Sequence, residues 1–394
     1  METADAVVIG AGLVGVSTAY ELARAGIGRI VVLERAVRPG TGSTAACTGG
    51  IRLQFSSRAN SLLSLYGLTR FRAFGEELCV DISLRPSGYL FLVTIESEVE
   101  RYSRGHAQLR ELGIESGFVD REWIGRTAPF LELEDVVCGS HCPAEAHADP
   151  YSVLQAYLGA LRGLGVRIDT GRPVAGLTVS HDAVIGVQTG KGDMQTGAVV
   201  NCAGPWAGEI CRMAGVELPL VPRKRHVLAV KTPFPVDRDL PLIVDDKSGW
   251  YLKPEPGNTA LIGGTDRHGT VSLDTDAEPW IVDGIIEAGI RRAPALENAR
   301  VIRTIVGLRS MSPDDHALIG AVPGVRGFYC AAGFSGHGFM HAPAAGKALA
   351  ELVAGAAGAP AAGSFDLTAF RPGRFAATGL AGAGSAPEPE RYVF

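Results

Sequence analysis

From residue 7 the chain reads VVIGAGLVGVSTAYELARAGIGRIVVLE. Two short runs without a polar face flank a stretch whose apolar positions recur at helical spacing. The pattern predicts strand, glycine turn, amphipathic helix and second strand. Helical spacing returns over Arg58 to Leu78, and GYLFLVT from Gly88 reads as a strand. A charged surface helix over Glu96 to Leu112, a short helix over Glu122 to Pro129 and a helix over Pro150 to Leu164 follow. The alternation in VAGLTVSHDAVIGVQTGKGDMQTGAVVNCAG then predicts a strand pair leading into AVVNCAG, apolar throughout as a central strand should be. RKRHVLAVKTP, LPLIVDDKSGWYLKPEPG and NTALIGGTDR predict successive strands with turn signals between them, hence a largely antiparallel sheet fit to wall a cavity; a helix over Glu278 to Ala293 comes after it. GFYCAAG and FSGHGFMHAPAAGKALAELVAG repeat the opening order of strand, glycine turn and helix. Past Ala354, small residues and proline predict a packed extension and then a mobile end.

Apolar strands that recur after long intervals imply a discontinuous domain. The expected division gives residues 1–87, 148–221 and 302–375 to a nucleotide-binding domain, 88–147 and 222–301 to a substrate-binding domain on a mainly antiparallel sheet, and 376–394 to a C-terminal tail. The fold class is α/β in the Rossmann-type part and α+β overall.

The opening unit also carries chemistry. Gly10, Gly12 and Gly15 let backbone approach a diphosphate, and the helix start offers bare N–H groups and the positive end of its dipole. Glu34, at the end of the second strand and near the expected spacing of about 20 residues, suits a ribose hydroxyl pair. The complete unit, rather than its glycines alone, points to dinucleotide binding. The loop RPGTGSTAACTGGIRLQF, rich in small and hydroxyl residues, suits close approach to a second phosphate or a ring system.

Composition narrows the class. A chain of 394 residues with 46% hydrophobic content can bury a large core and form about two domains. Its 51 glycines exceed the usual share of about 7%, as tight turns against a bulky cofactor require. A net charge of −5 argues against nucleic acid as a partner. METADAVVIG has no basic n-region and no apolar stretch reaches about 18 residues, so a cytoplasmic protein without a membrane span is expected. Seven cysteines, an odd number set mostly in apolar segments, read as buried reduced thiols. Cys138, His141 and Cys142 have no second ligand pair at zinc-like spacing, and no metal is expected.

Taken together, residues 7 to 35, 43 to 52, 174 to 204, 307 to 320 and 333 to 353 resemble the D-amino-acid oxidase superfamily of flavoproteins, of the glycine oxidase, sarcosine oxidase and amino-acid dehydrogenase flavin-subunit type. The likeness runs in order over most of the chain, and it implies FAD as the cofactor. It assigns Gly10, Gly12 and Gly15 to the diphosphate turn, Glu34 and Arg35 to the adenosine ribose, and Ser43, Thr44, Thr48 and Gly50 to the loop along the diphosphate and flavin. Val174 matches the position whose backbone meets the adenine, and Gly204 and Trp206 fall in the A-G-x-W segment. Gly336, His337, Gly338, Phe339 and Met340 match the last flavin loop, where N–H groups at a helix start stabilise negative charge.

Arg309 in GLRSMSPDDHALIG matches the arginine that holds a substrate carboxylate by a two-point ion pair; a structural pair with Asp314 or Asp315 is the alternative. Tyr251 matches an active-site tyrosine, against the alternative of an ordinary strand aromatic, and His337 is expected to shape the pocket. Arg52 stands where sarcosine oxidases put a basic residue near the flavin, although a surface or interdomain pair would also account for it. Three departures follow from the resemblance. Gly307 replaces the cysteine that bonds to FAD in monomeric sarcosine oxidases, so noncovalent FAD is expected; Ile262 replaces a lysine linked to oxygen activation; Met340 replaces a lysine that assists carboxylate binding. His147 lies in the general region of a histidine that carries a second flavin in heterotetrameric sarcosine oxidase, and a solvent-side histidine before a helix start at Asp149 and Pro150 is the favoured alternative.

The resemblance implies oxidation of the C–N bond of a small amino acid, or of a secondary or N-methyl amino acid, by hydride transfer to flavin N5 to give an imine. Either O2 or a partner protein takes the electrons, and homo- or hetero-oligomers are both compatible. A flavin subunit of a heteromeric proline, hydroxyproline or opine dehydrogenase and a non-catalytic FAD-binding scaffold are the alternatives.

Overall fold

Strand Ala6–Ile9 lies inside a six-stranded sheet, between Val199–Asn201 and Ile30–Leu33, both parallel to it. The computed structural model describes residues 2–264, 269–357 and 363–375. In it, Arg167–Asp169 extends the sheet beyond Ile30–Leu33, Phe328–Ala332 extends it beyond Val199–Asn201, and Leu318–Ala321 closes that edge antiparallel. The central strands are buried throughout because both faces are covered, which is why their sequences carry no polar alternation. One face packs on helices Leu13–Arg24, Pro150–Gly163 and Gly338–Ala356. The other packs on a four-stranded sheet that includes Val174–Ser180 and Ala183–Thr189.

An eight-stranded sheet runs in the order Arg300–Met311, Val221–Lys231, Thr259–Gly263, Tyr251–Glu255, Leu242–Asp245, Tyr89–Val93, Cys138–Cys142 and Gly117–Val119. Its pairs are antiparallel except that of Leu242–Asp245 with Tyr89–Val93. Period-two alternation sorts its side chains. Leu228, Leu252, Ala260 and Ile262 pack with Trp250 against helix Pro279–Arg292, whereas Val227, Tyr251, Leu261 and Ile305 share the opposite face with Phe91 and Tyr102. Arg292 fastens that helix, its Nε donating to buried Asp245 at 2.7 Å and its Nη1 to Asp135 at 2.8 Å.

Among the strands not predicted are Gly117–Val119, Cys138–Cys142 and Arg167–Asp169. Each is short, and CGSHC has no apolar alternation; pairing with Tyr89–Val93, not local preference, holds it extended. Cys138 and Cys142 therefore share a face while His141 points the other way, onto Trp123. Cys79 is exposed, unlike the buried thiols expected. Among the described residues no helix is long and apolar enough to cross a membrane. The end of the NTALIGGTDR segment from Thr265 and the expected tail 376–394 lie outside the described residues.

Candidate functional site

A cavity of about 990 Å³ opens between the two large sheets. At one end the fingerprint turn forms its floor. Gly10 has φ +103°, and a Cβ there would sit 2.5 Å from the Cys202 carbonyl; Gly12 caps helix Leu13–Arg24 with extended backbone. Gly15 does not line the cavity: a Cβ on it would overlap the Gly10 carbonyl, so it is the position at which helix and turn touch. Glu34 accepts hydrogen bonds from Ala11 N and Ala36 N, both at 2.8 Å, so its carboxylate is held against the turn. Arg35 lies over the Trp206 ring with 3.4 Å between guanidinium carbon and centroid, and Val174 and Gly204 complete this end.

In the middle, Thr44 Oγ1 accepts from Leu13 N at 3.1 Å and Ser43 donates to the Leu308 carbonyl at 2.6 Å, which presses the small-residue loop along the cavity with Thr48 further on. Gly50 lies outside the lining. It pairs with His147 in a two-stranded ribbon, and a Cβ there would strike the Tyr89 hydroxyl.

The far end gathers Arg309, Tyr251, Gly336, Gly338 and Phe339. Arg309 Nη1 is buried with no hydrogen-bond partner among the described residues, and the guanidinium rests against Gly336, where a Cβ would sit 3.0 Å from the guanidinium carbon. Asp314 is not the partner of Arg309, since Arg374 takes it through two bonds of 2.8 Å. Burial pushes Tyr251 up to about 12, against the pull of the Arg309 and Arg225 charges, and it stays a neutral phenol able to donate.

Arg52, His337 and Met340 lie behind the wall rather than in it. The Arg52 guanidinium faces the His337 ring, Nη2 to Nε2 at 3.2 Å, and stacks on Phe55 at 4.3 Å, while Arg52 N donates to Met340 Sδ. Because guanidinium only donates, His337 Nε2 is the acceptor and its proton sits on Nδ1. Burial, reinforced by the Arg52 charge, holds His337 well below its ordinary pKa. Arg52 is thus neither on the surface nor in the cavity lining; it braces the residue that caps helix Gly338–Ala356.

Two of the departures change meaning. Ile262 is packed beneath helix Pro279–Arg292, and its neighbour Leu261 is the one that shares a face with Tyr251, a one-residue slip that turns a side chain to the other face. Met340 does not reach the cavity, so it cannot replace a carboxylate-binding lysine there. His147 is buried rather than solvent-side. Its Nδ1 lies 3.3 Å from the Ser87 hydroxyl, burial lowers it to about 4, and it is not part of the cavity lining. Sequence reasoning also missed Arg225 and Cys47 as lining groups, and the 273–276 segment at the mouth. In RKRHV the basic residues read as the polar side of a strand, and nothing in the alternation distinguishes solvent from a cavity.

The glycine turn, the helix start behind it and the long cavity fit a dinucleotide with a ring system at the Arg309 end. The chain matches the family described as FAD dependent oxidoreductase over residues 5–352. It is 28% identical over 398 residues to mitochondrial dimethylglycine dehydrogenase of Rattus norvegicus, covering 95% of this chain and 45% of that protein. It is 30% identical over 368 residues to mitochondrial sarcosine dehydrogenase of Homo sapiens, covering 89% and 40%. The chain spans less than half the length of these two relatives. Among solved structures, L-proline dehydrogenase from P. horikoshii superposes with a TM-score of 0.87 at 30% identity, over 95% of this chain and 98% of that one. Glycine oxidase from Geobacillus kaustophilus gives 0.83 at 24%, over 95% and 99%, a likeness of fold. This chain belongs to the family of FAD-dependent oxidoreductases that these proteins represent, and FAD is its cofactor.

Proposed function

We propose that this chain oxidises the C–N bond of a small amino acid, or of a secondary or N-methyl amino acid, to an imine that water hydrolyses or that remains cyclic. The observation that carries this reading is the buried Nη1 of Arg309 at the flavin-loop end of the cavity, which has no hydrogen-bond partner among the described residues. A guanidinium withdrawn from water needs an anion, and a substrate carboxylate supplies one with matching two-point geometry. Bound FAD supplies the two-electron acceptor. Arg309 fixes the carboxylate, Tyr251 donates from across the pocket as a neutral phenol, and the helix start at Gly338 turns its N–H groups toward the same space. We assign FAD to noncovalent binding. Gly307 has no side chain with which to bond the flavin, so acid precipitation should release the flavin into the supernatant; flavin left in the pellet would show a covalent link.

A second reading, a dehydrogenase that passes electrons to a protein partner, is favoured by one observation: no lysine lines the cavity among the described residues. A panel of amino acids, tested anaerobically for bleaching of the flavin absorbance and then with O2 and an artificial acceptor in parallel, decides. Bleaching followed by turnover with O2 supports an oxidase, turnover with the artificial acceptor alone supports the dehydrogenase, and no bleaching with any amine sinks both and leaves a scaffold.

A further inference from the structure

Gly263 ends strand Thr259–Gly263 in extended backbone, without the positive φ that would call for glycine, and it is buried. A glycine paired on both sides within a sheet weakens it and marks a place that something approaches closely. Here the approaching group is the Tyr251 side chain: a Cβ at position 263 would lie 2.4 Å from both the Tyr251 Cζ and its hydroxyl oxygen. Tyr251 and Gly263 are register partners, Gly263 in turn pairs with Val227, and Val227 pairs with Ile305. Directly opposite residues share a face, so the Tyr251 ring lies across position 263, away from its own strand and toward strands Val221–Lys231 and Arg300–Met311. At even steps along those strands, and so on the same face, stand Arg225, Gly307 and Arg309, all of which line the cavity with Tyr251. Gly263 itself does not line it, because the ring covers it. The atoms that a new Cβ would meet are the far end of a side chain bordering open cavity, so the phenol, not the backbone, would give way.

We propose that Gly263 is a positioning residue for the reaction: the space of its absent side chain is the slot in which the Tyr251 ring lies, and that slot holds the phenol hydroxyl on the Arg309 side of the pocket. This deepens, and rests on, the amino-acid oxidation reading above. In the holoenzyme, Gly263→Ala should weaken acetate binding, titrated by the change in flavin absorbance, by about 10-fold and lower kcat/KM for an amino acid by about 10- to 100-fold, with the FAD content of wild type. In a Tyr251→Ala background, where the ring is gone, the same substitution should change either quantity by less than about 2-fold. A merely structural role would not depend on the ring, so equal losses in the two backgrounds overturn the proposal, as does wild-type affinity for acetate in Gly263→Ala. Should the single variant fold poorly or lose FAD, the double variant decides: FAD content and Tm equal to those of Tyr251→Ala lay the damage to the ring, and a double variant that fails alike overturns the proposal. If amino acids bleach the flavin and the losses are equal in both backgrounds, the oxidation reading stands and this one falls. If no amino acid bleaches it, acetate alone carries the comparison, and a loss confined to the background with Tyr251 keeps the slot while the oxidation reading falls.

Discussion

Arg309 and Gly12 make separable demands on the same cavity. Arg309→Leu leaves a substrate carboxylate unpaired away from water, so it should cost about 2 to 5 kcal/mol in kcat/KM while FAD stays bound; lysine, unable to make the two-point contact, should recover only part. Amino acids should lose far more than the matching amines without a carboxylate, and equal losses for both would remove the carboxylate from the argument. Gly12→Val instead places a branched side chain where a Cβ already approaches Thr44 Oγ1 to 3.3 Å, at the start of the helix that must meet the diphosphate. It should yield folded protein without flavin, and full loading by absorbance would move the cofactor elsewhere. Both residues were readable in the sequence because their chemistry is local: a glycine that admits backbone and an arginine that needs an anion. Ile262 was misread because strand register decides which face a residue occupies, and register depends on the partner strand. Arg225 escaped for a related reason, its neighbours Arg223 and Lys224 being equally basic in sequence.

Helix Gly338–Ala356 brings its first turn to the cavity, and two glycines on other elements or its own length set its position. A Cβ on Gly346 would meet Ser17 backbone at 2.9 Å, and one on Gly67, in helix Arg58–Glu77, would overlap the Met340 carbonyl. Gly67→Ala should therefore displace the turn that carries Met340, destabilising by about 1 to 3 kcal/mol and weakening FAD retention. Gly75→Ala in the same helix meets nothing within 4 Å and should stabilise by about 0.5 to 1 kcal/mol through helix propensity. Chemical denaturation with and without added FAD measures both. A Gly67 variant as stable as the Gly75 variant would mean that the crossing is slack. The long helices were legible because their apolar stripes are local signals. The close crossings were not: a helical glycine looks alike in sequence whether its missing side chain faces solvent or another backbone.

Four of the buried histidines spread the consequences of pH across the molecule. Burial lowers His106 and His147 to about 4 and His341 to about 3, and holds His337 well below its ordinary value. Each is neutral when folded and has an ordinary value of 6.5 when unfolded, so between pH 6.5 and about 4 the unfolded chain binds more protons. Stability from these groups is complete above pH 6.5 and is lost as pH falls through that window. Glu145 works the other way. Burial raises it to about 7, although Leu53 N, Gln54 N and Gln54 Nε2 all donate to its carboxylate and favour the anion. Burial also raises Glu21, so two carboxyls oppose the four histidines, and the histidines set the net direction: stability falls as pH falls. Holoenzyme melted at saturating FAD should have a Tm several degrees lower at pH 5 than at pH 7. His106 bridges Ser140 and Ser116 through its two ring nitrogens, so His106→Gln, which accepts and donates without titrating, should shrink that difference. A Tm that is level from pH 7 to pH 5 would mean that these rings gain protons without leaving the core, and that the neutral Nδ1–H form of His337 facing Arg52 is not what holds the start of the last helix.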